Sequence, residues 1–155
     1  MTRFFMDASA VVKRYSVETG SAWLTALIGP TTGHASILAE ITLAEVAAAF
    51  AAKHRAPGGI TQKERDNALA LFLSHCNTEY ELVAVNRFII DRAVSLTQNH
   101  KLRGYDAVQL AAALAANDVL VTAGLSQLVL VTADDDLAAA AGAEGLIAEN
   151  PNLHP

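Results

Sequence analysis

An α/β domain with a parallel sheet covered by helices is the fold class predicted for this chain, and three features predict it. Short apolar runs alternate with longer helical patterns along the whole sequence. Two of those runs lead into aspartates, Asp7 and Asp134, the pattern of a buried strand delivering a polar residue to one rim of a sheet. No linker, low-complexity tract or long-period repeat interrupts the chain. One domain over residues 1–149 is therefore expected, with a polar tail at 150–155.

Taken in order, Arg3-Phe4-Phe5-Met6 is the first strand candidate. Short helices are expected over Ala8 to Tyr15 and Gly20 to Ile28, the second closed by Gly29-Pro30. His34 to Ile37 suggests a brief strand. Leu38 to His54, rich in Ala, Leu and Val, predicts a long helix that stops at Ala56-Pro57-Gly58-Gly59. Thr61 followed by Glu64 has capping-box spacing and opens another helix, with Ala68, Leu69, Leu71, Phe72 and Cys76 expected on its buried face. Glu81 to Val85 is the next strand candidate, and helices are expected at about Arg87 to Asn99 and Tyr105 to Asn117. The pentapeptide Val-Leu-Val-Thr-Ala then occurs at 119–123 and again at 129–133, and only the second copy runs into acids, Asp134-Asp135-Asp136. A closing helix spans Leu137 to Ala141.

The 155-residue chain is 52% hydrophobic and 17% charged, with a mean hydropathy of +0.29. No apolar run is long enough to span a bilayer, so the surplus points to a partner or a self-interface. The single cysteine, Cys76, lies in an apolar stretch and reads as a buried thiol of a reducing, cytoplasmic compartment. Net charge is −5, unevenly spread: all eleven bases lie at or before Arg103, and beyond it stand seven acids and no base. The first part suits a polyanion, the second a cation.

Four carboxylates stand out. Asp7 and Asp134 follow strands, where each also suits a helix N-cap. Glu45 sits on a helix whose only other polar residues between 38 and 52 are Glu40 and Thr42. A carboxylate in such a setting needs water, a cation or a donor. Glu40 lies about 140° around the helix from it, so only one of the two belongs to a site. Asp106 opens an apolar helix and has the N-cap alternative too. Two such charges about 4 Å apart repel by about 4 kcal/mol at an effective dielectric of 20. An oxygen-only set on one rim therefore calls for a hard cation, Mg²⁺ or Mn²⁺, able to activate water against a phosphodiester. No phosphate-binding loop, serine elbow or zinc spacing offers another chemistry.

Phe5-Met6-Asp7-Ala8-Ser9, Leu43-Ala44-Glu45-Val46, Tyr105-Asp106-Ala107 and Val131-Thr132-Ala133-Asp134, in this order, resemble the acidic signatures of PIN-domain ribonucleases, especially the VapC-type toxins of toxin–antitoxin pairs. The resemblance implies a PIN-like α/β/α sandwich, with the strands bearing Asp7 and Asp134 adjacent at the sheet centre. It implies Mg²⁺-dependent RNA cleavage by Asp7, Glu45, Asp106 and Asp134, with Asp7 and Asp106 as principal ligands and Ser9 and Thr132 in support. Asp135 and Asp136 stay open as alternatives to Asp134. It also implies a homodimer and a cognate antitoxin packed on the early helices. Lys13, Arg14, Lys101 and Arg103 are candidate RNA contacts. The alternative reading is a non-catalytic RNA- or protein-binding module on the same fold. An aspartyl-phosphate enzyme is disfavoured because Ser9 stands where a second acid is needed.

Overall fold

A computed structural model describes all 155 residues. Five strands, Arg3–Met6 (β1), Ala35–Ala39 (β2), Tyr80–Val83 (β3), Val129–Val131 (β4) and Ile147–Glu149 (β5), form one sheet in the order β3-β2-β1-β4-β5. Every pairing is parallel. Parallel neighbours need long crossovers, and helices supply them. These are Ala8–Val11 (α1), Ser21–Leu27 (α2), Ile41–Arg55 (α3), Gln62–Thr78 (α4), Arg87–Asn99 (α5), Gly104–Thr122 (α6) and Asp135–Ala143 (α7).

Strand alternation sorts the core into two layers. Phe4 and Met6 point into a cluster with Leu38, Val131 and residues of α1 to α4, while Phe5 points into the opposite cluster with Leu130 and residues of α5, α6 and α7. Helix α6 is buried without a break from Asp106 to Leu114, which its run of alanines permits by letting neighbours approach on every side. The result is a PIN-like α/β/α sandwich. The capping box of α4 is present in full, Thr61 with Glu64, and α5 has the expected bounds.

Four local expectations change. Leu38 and Ala39 belong to β2 rather than to the following helix, because both are wholly buried between β1 and β3. Strand β5 has no periodic signal in its three residues and exists because β4 needs an outer partner. The helix expected to end at about Asn117 runs on to Thr122, so the first Val-Leu-Val-Thr-Ala copy forms the end of α6. The polar tail packs: Pro151 is buried, His154 stacks on Trp23 with ring centroids 4.2 Å apart, and Gly20 (φ +86°) lies so close that a Cβ there would meet the Pro151 carbonyl oxygen at 2.3 Å. Cys76 is buried as expected, and burial pushes its thiol up to about 11.

Candidate active site

Because β1 and β4 are paired with Met6 opposite Val131, their exits release Asp7 and the segment Thr132 to Asp134 side by side. Asp7 is buried, and hydroxyls hold both its oxygens. Ser9 Oγ donates to Oδ1 at 2.7 Å, Thr132 Oγ1 donates to Oδ2 at 2.7 Å, and the Ala10 amide donates to Oδ1 at 3.0 Å. The last of these makes Asp7 the N-cap of α1 as well. Loss of water outweighs these donors and raises its pKa from 3.8 to about 6, with the nearby Glu45 charge adding to the rise. Thr132 and Ser9 also tie the two strand exits together: the Ala133 amide donates to Ser9 Oγ and the Asp134 amide to Thr132 Oγ1.

Glu45 reaches this rim from the middle of α3, half-buried, while Glu40 is exposed at the helix start. Gln109 Nε2 donates to Glu45 Oε1 and to Thr42 Oγ1, each at 2.8 Å, and sets the carboxylate's direction. Burial raises the Glu45 pKa, and the charge of Asp106 adds to it. Gln109 was not anticipated, yet a signal existed: it is the sole polar residue of Ala107 to Ala116. Its buried Oε1 has no donor, so the amide lies in surroundings that still call for a polar or charged neighbour.

Asp106 is not an N-cap. Helix α6 starts at Gly104 with Arg103 as its cap residue, which places Asp106 in the first turn, one turn before Gln109. Its pKa is raised by burial first and then by Asp134, against a lowering by Arg103. Asp134 caps α7 by accepting the Leu137 amide on Oδ1 at 2.9 Å, so both readings of this residue coexist. Asp135 bonds Asn150 and faces away, whereas Asp136 lines the same cleft as Asp106 and Asp134. That cleft, about 500 Å³, has Thr97, His100, Lys101 and Arg103 on its other wall.

Two of the expected RNA contacts are corrected. Lys13 is buried, bonded to Glu18 at 2.9 Å and to the Thr19 carbonyl at 2.8 Å, and Arg14 pairs with Glu79 at 2.8 Å and bonds the Tyr80 hydroxyl. Both charges serve the fold, since burial this deep requires a partner. Lys101 and Arg103 remain exposed at the cleft.

The donor set can be tested against a divalent ion. All four acids present oxygen, the preference of Mg²⁺ and Mn²⁺. No three of them converge closely enough to form a closed cage. Mg²⁺ does not need one, because it keeps waters and takes one or two carboxylates together with substrate phosphates. Burial first, and a neighbouring carboxylate in addition, raise the pKa values of Asp7, Glu45 and Asp106, a rise that a bound divalent cation would oppose. The residues fit such an ion held in an open site.

No protein-family model matches the sequence, and no curated protein matches it. Solved structures do. The chain is similar to a chain of a toxin–antitoxin complex from Klebsiella pneumoniae (20% identity, TM-score 0.59, 95% of this chain and 96% of that one). It is also similar to a chain of VapBC2 from Rickettsia felis, solved bound to a promoter DNA fragment (15%, TM-score 0.63, 96% and 98%). A third likeness is to Mycobacterium tuberculosis VapC20, a toxin that cleaves the sarcin–ricin loop (18%, TM-score 0.58, 93% and 96%). These likenesses run over nearly whole chains and establish a shared fold.

Proposed function

We propose that the chain is a VapC-type toxin, a metal-dependent endoribonuclease acting through Asp7, Glu45, Asp106 and Asp134. The observation that carries this reading is electrostatic. Burial raises the pKa of Asp7, Glu45 and Asp106, and in each a neighbouring carboxylate adds to the rise, Glu45 for Asp7, Asp106 for Glu45 and Asp134 for Asp106, so acids from β1, α3, α6 and the β4 exit share one rim. A fold has little reason to retain such a grouping without a cation to relieve it.

Asp7, Asp106 and Asp134 would hold Mg²⁺ or Mn²⁺, with Glu45 beside them; such an ion would supply a water of lowered pKa and neutralise charge at the phosphate. Ser9 and Thr132 fix the Asp7 carboxylate by donating to its two oxygens. Glu45, whose pKa burial raises and whose direction Gln109 sets, is suited to relay a proton at the rim. Lys101 and Arg103 stand where an RNA backbone would pass.

The partners follow from the same reading. A groove of about 530 Å³ between Tyr15, Phe50 on α3 and Ala68 and Leu71 on α4 would receive a cognate antitoxin segment. Exposed Phe88 and Val94 on α5, with Val119 and Val121 on α6, would serve a homodimer. No helix is long and apolar enough to cross a membrane.

The test is cleavage of RNA in Mg²⁺ by the wild type and by Asp7→Asn. Loss of one ligand should largely abolish the reaction, because metal and phosphate lose their geometry together. Equal activity in the two proteins, or cleavage retained in EDTA, would sink the reading.

A further inference from the structure

Arg103 is the one base within 4.0 Å of any of the four acids: Nε lies 3.4 Å from Asp106 Oδ2 and a terminal nitrogen 3.7 Å from Asp134 Oδ2. We propose that Arg103 is a built-in counter-cation, which occupies the gap between Asp106 and Asp134 until a divalent ion displaces it and then contacts the RNA phosphate from the cleft wall. This inference rests on the metal-dependent reading above.

Three observations support it. The two contacts are long. Elsewhere in the protein, arginine–carboxylate pairs close to 2.8 Å (Arg14 with Glu79) and 2.7 Å (Arg92 with Asp118), the usual length of a charge-assisted bond. Arg103 leans on its carboxylates without docking, and its side chain is 68% exposed. Second, it already rests on a support other than the carboxylates. Its guanidinium carbon stands 4.9 Å from the centre of the exposed Tyr105 ring, a position that holds a cation without a carboxylate.

Third, guanidinium and metal would compete for the same atoms. Asp134 Oδ1 accepts the Leu137 amide, so Oδ2, the oxygen facing Arg103, is the less committed of the two and the better placed for an ion. Mg²⁺ binds carboxylate oxygen at about 2.0–2.1 Å, and two cations cannot share so narrow a gap without strong repulsion. Once displaced, the guanidinium stays at the cleft beside Lys101. Its planar fork matches phosphate geometry in a way an ammonium does not.

The experiment is calorimetric titration of the intact protein with Mn²⁺, paired with RNA cleavage at saturating metal. Arg103→Gln should bind Mn²⁺ about threefold to tenfold more tightly than the wild type, yet cleave about tenfold or more slowly. Arg103→Lys keeps the charge without the fork, so it should hold near wild-type affinity and still cleave slowly. Unchanged or weakened Mn²⁺ affinity in Arg103→Gln overturns the proposal while leaving the metal site standing. Failure of the wild type to bind Mn²⁺, or binding that Asp106→Asn does not weaken, overturns the metal-dependent reading itself, and the proposal with it.

Discussion

The pentapeptide Val-Leu-Val-Thr-Ala at 119–123 ends helix α6, and the same five residues at 129–133 form strand β4 and its exit. In the first copy Val119 is 70% and Val121 53% exposed; in the second, Leu130, Val131 and Thr132 are wholly buried. Intrinsic preference cannot separate identical residues, and the relevant scales span only about 1 kcal/mol per residue. Flanks and partners separate them. The first copy continues a helix already running through Asn117 and closes on Gly124 (φ +75°), where the Leu125 amide donates to the Leu120 carbonyl and the Gly124 amide to the Val121 carbonyl. The second lies between β1 and β5 with a backbone ladder on both sides. The Asn117 side chain joins the two settings by accepting the Leu128 amide at 3.0 Å. What differs is what each copy supports: one presents valines to solvent, the other places Thr132 on Asp7.

Paired substitutions can break that comparison. The largest contrast is expected at the leucines. Leu130→Ala opens a cavity in the core and should cost about 2–5 kcal/mol, whereas Leu120→Ala, half-buried at a helix end, should cost about 1 kcal/mol or less. Urea denaturation of both variants measures the difference; equal losses would mean the two settings are energetically alike.

Next comes the group that the second copy holds. Asp7 has a folded pKa raised from 3.8 to about 6, so its stabilising contribution is full below about pH 4 and is lost as pH rises to about 6. The drop due to Asp7 should be about 3 kcal/mol in EDTA, and Asp7→Asn should remove that share, leaving the parts due to Glu45 and Asp106, in chemical unfolding followed across pH 3.5 to 7. A pH-independent wild type would show that Asp7 ionises freely.

The threonines give a smaller contrast. Thr132→Val removes a donor from a buried carboxylate and should cost about 1–3 kcal/mol at pH 7. The loss should shrink below pH 4, where Asp7 is protonated. Thr122→Val, at an exposed helix end, should stay within about 0.5 kcal/mol. Smallest of all, Val121→Glu or Val121→Lys should leave the stability of the dissociated chain, followed at high dilution, within a few tenths of a kcal/mol or raise it slightly, since an exposed helical position prefers these residues. At concentrations where the proposed homodimer forms, the same variants should lower its association in sedimentation, because the dimer would cover Val121.

The same contrast explains how much was legible in advance. Elements marked by local chemistry came out as expected: α5 at Arg87 to Asn99, α4 from Thr61 and Glu64, and β1 from the apolar run before Asp7. The candidate site was legible in its acids, because carboxylates beside apolar runs are unusual wherever they fall. Its supports were less so. Gln109 binds Glu45 from 64 positions away, and Thr132 reaches Asp7 across 125, distances that no window along the chain spans. Lys13 and Arg14 looked like RNA contacts because a sequence displays charge without its burial; each in fact meets an acid, Glu18 or Glu79.

By itself, then, the sequence determined the alternation of strand and helix and the order of the four acids, because both follow from neighbouring residues and their polarity. Only the tertiary structure decided which Val-Leu-Val-Thr-Ala became a strand, which of three consecutive aspartates turned away, and that Arg103 stands between Asp106 and Asp134. Those outcomes depend on which distant surfaces exclude water from a segment, and that is a property of packing rather than of the residues packed.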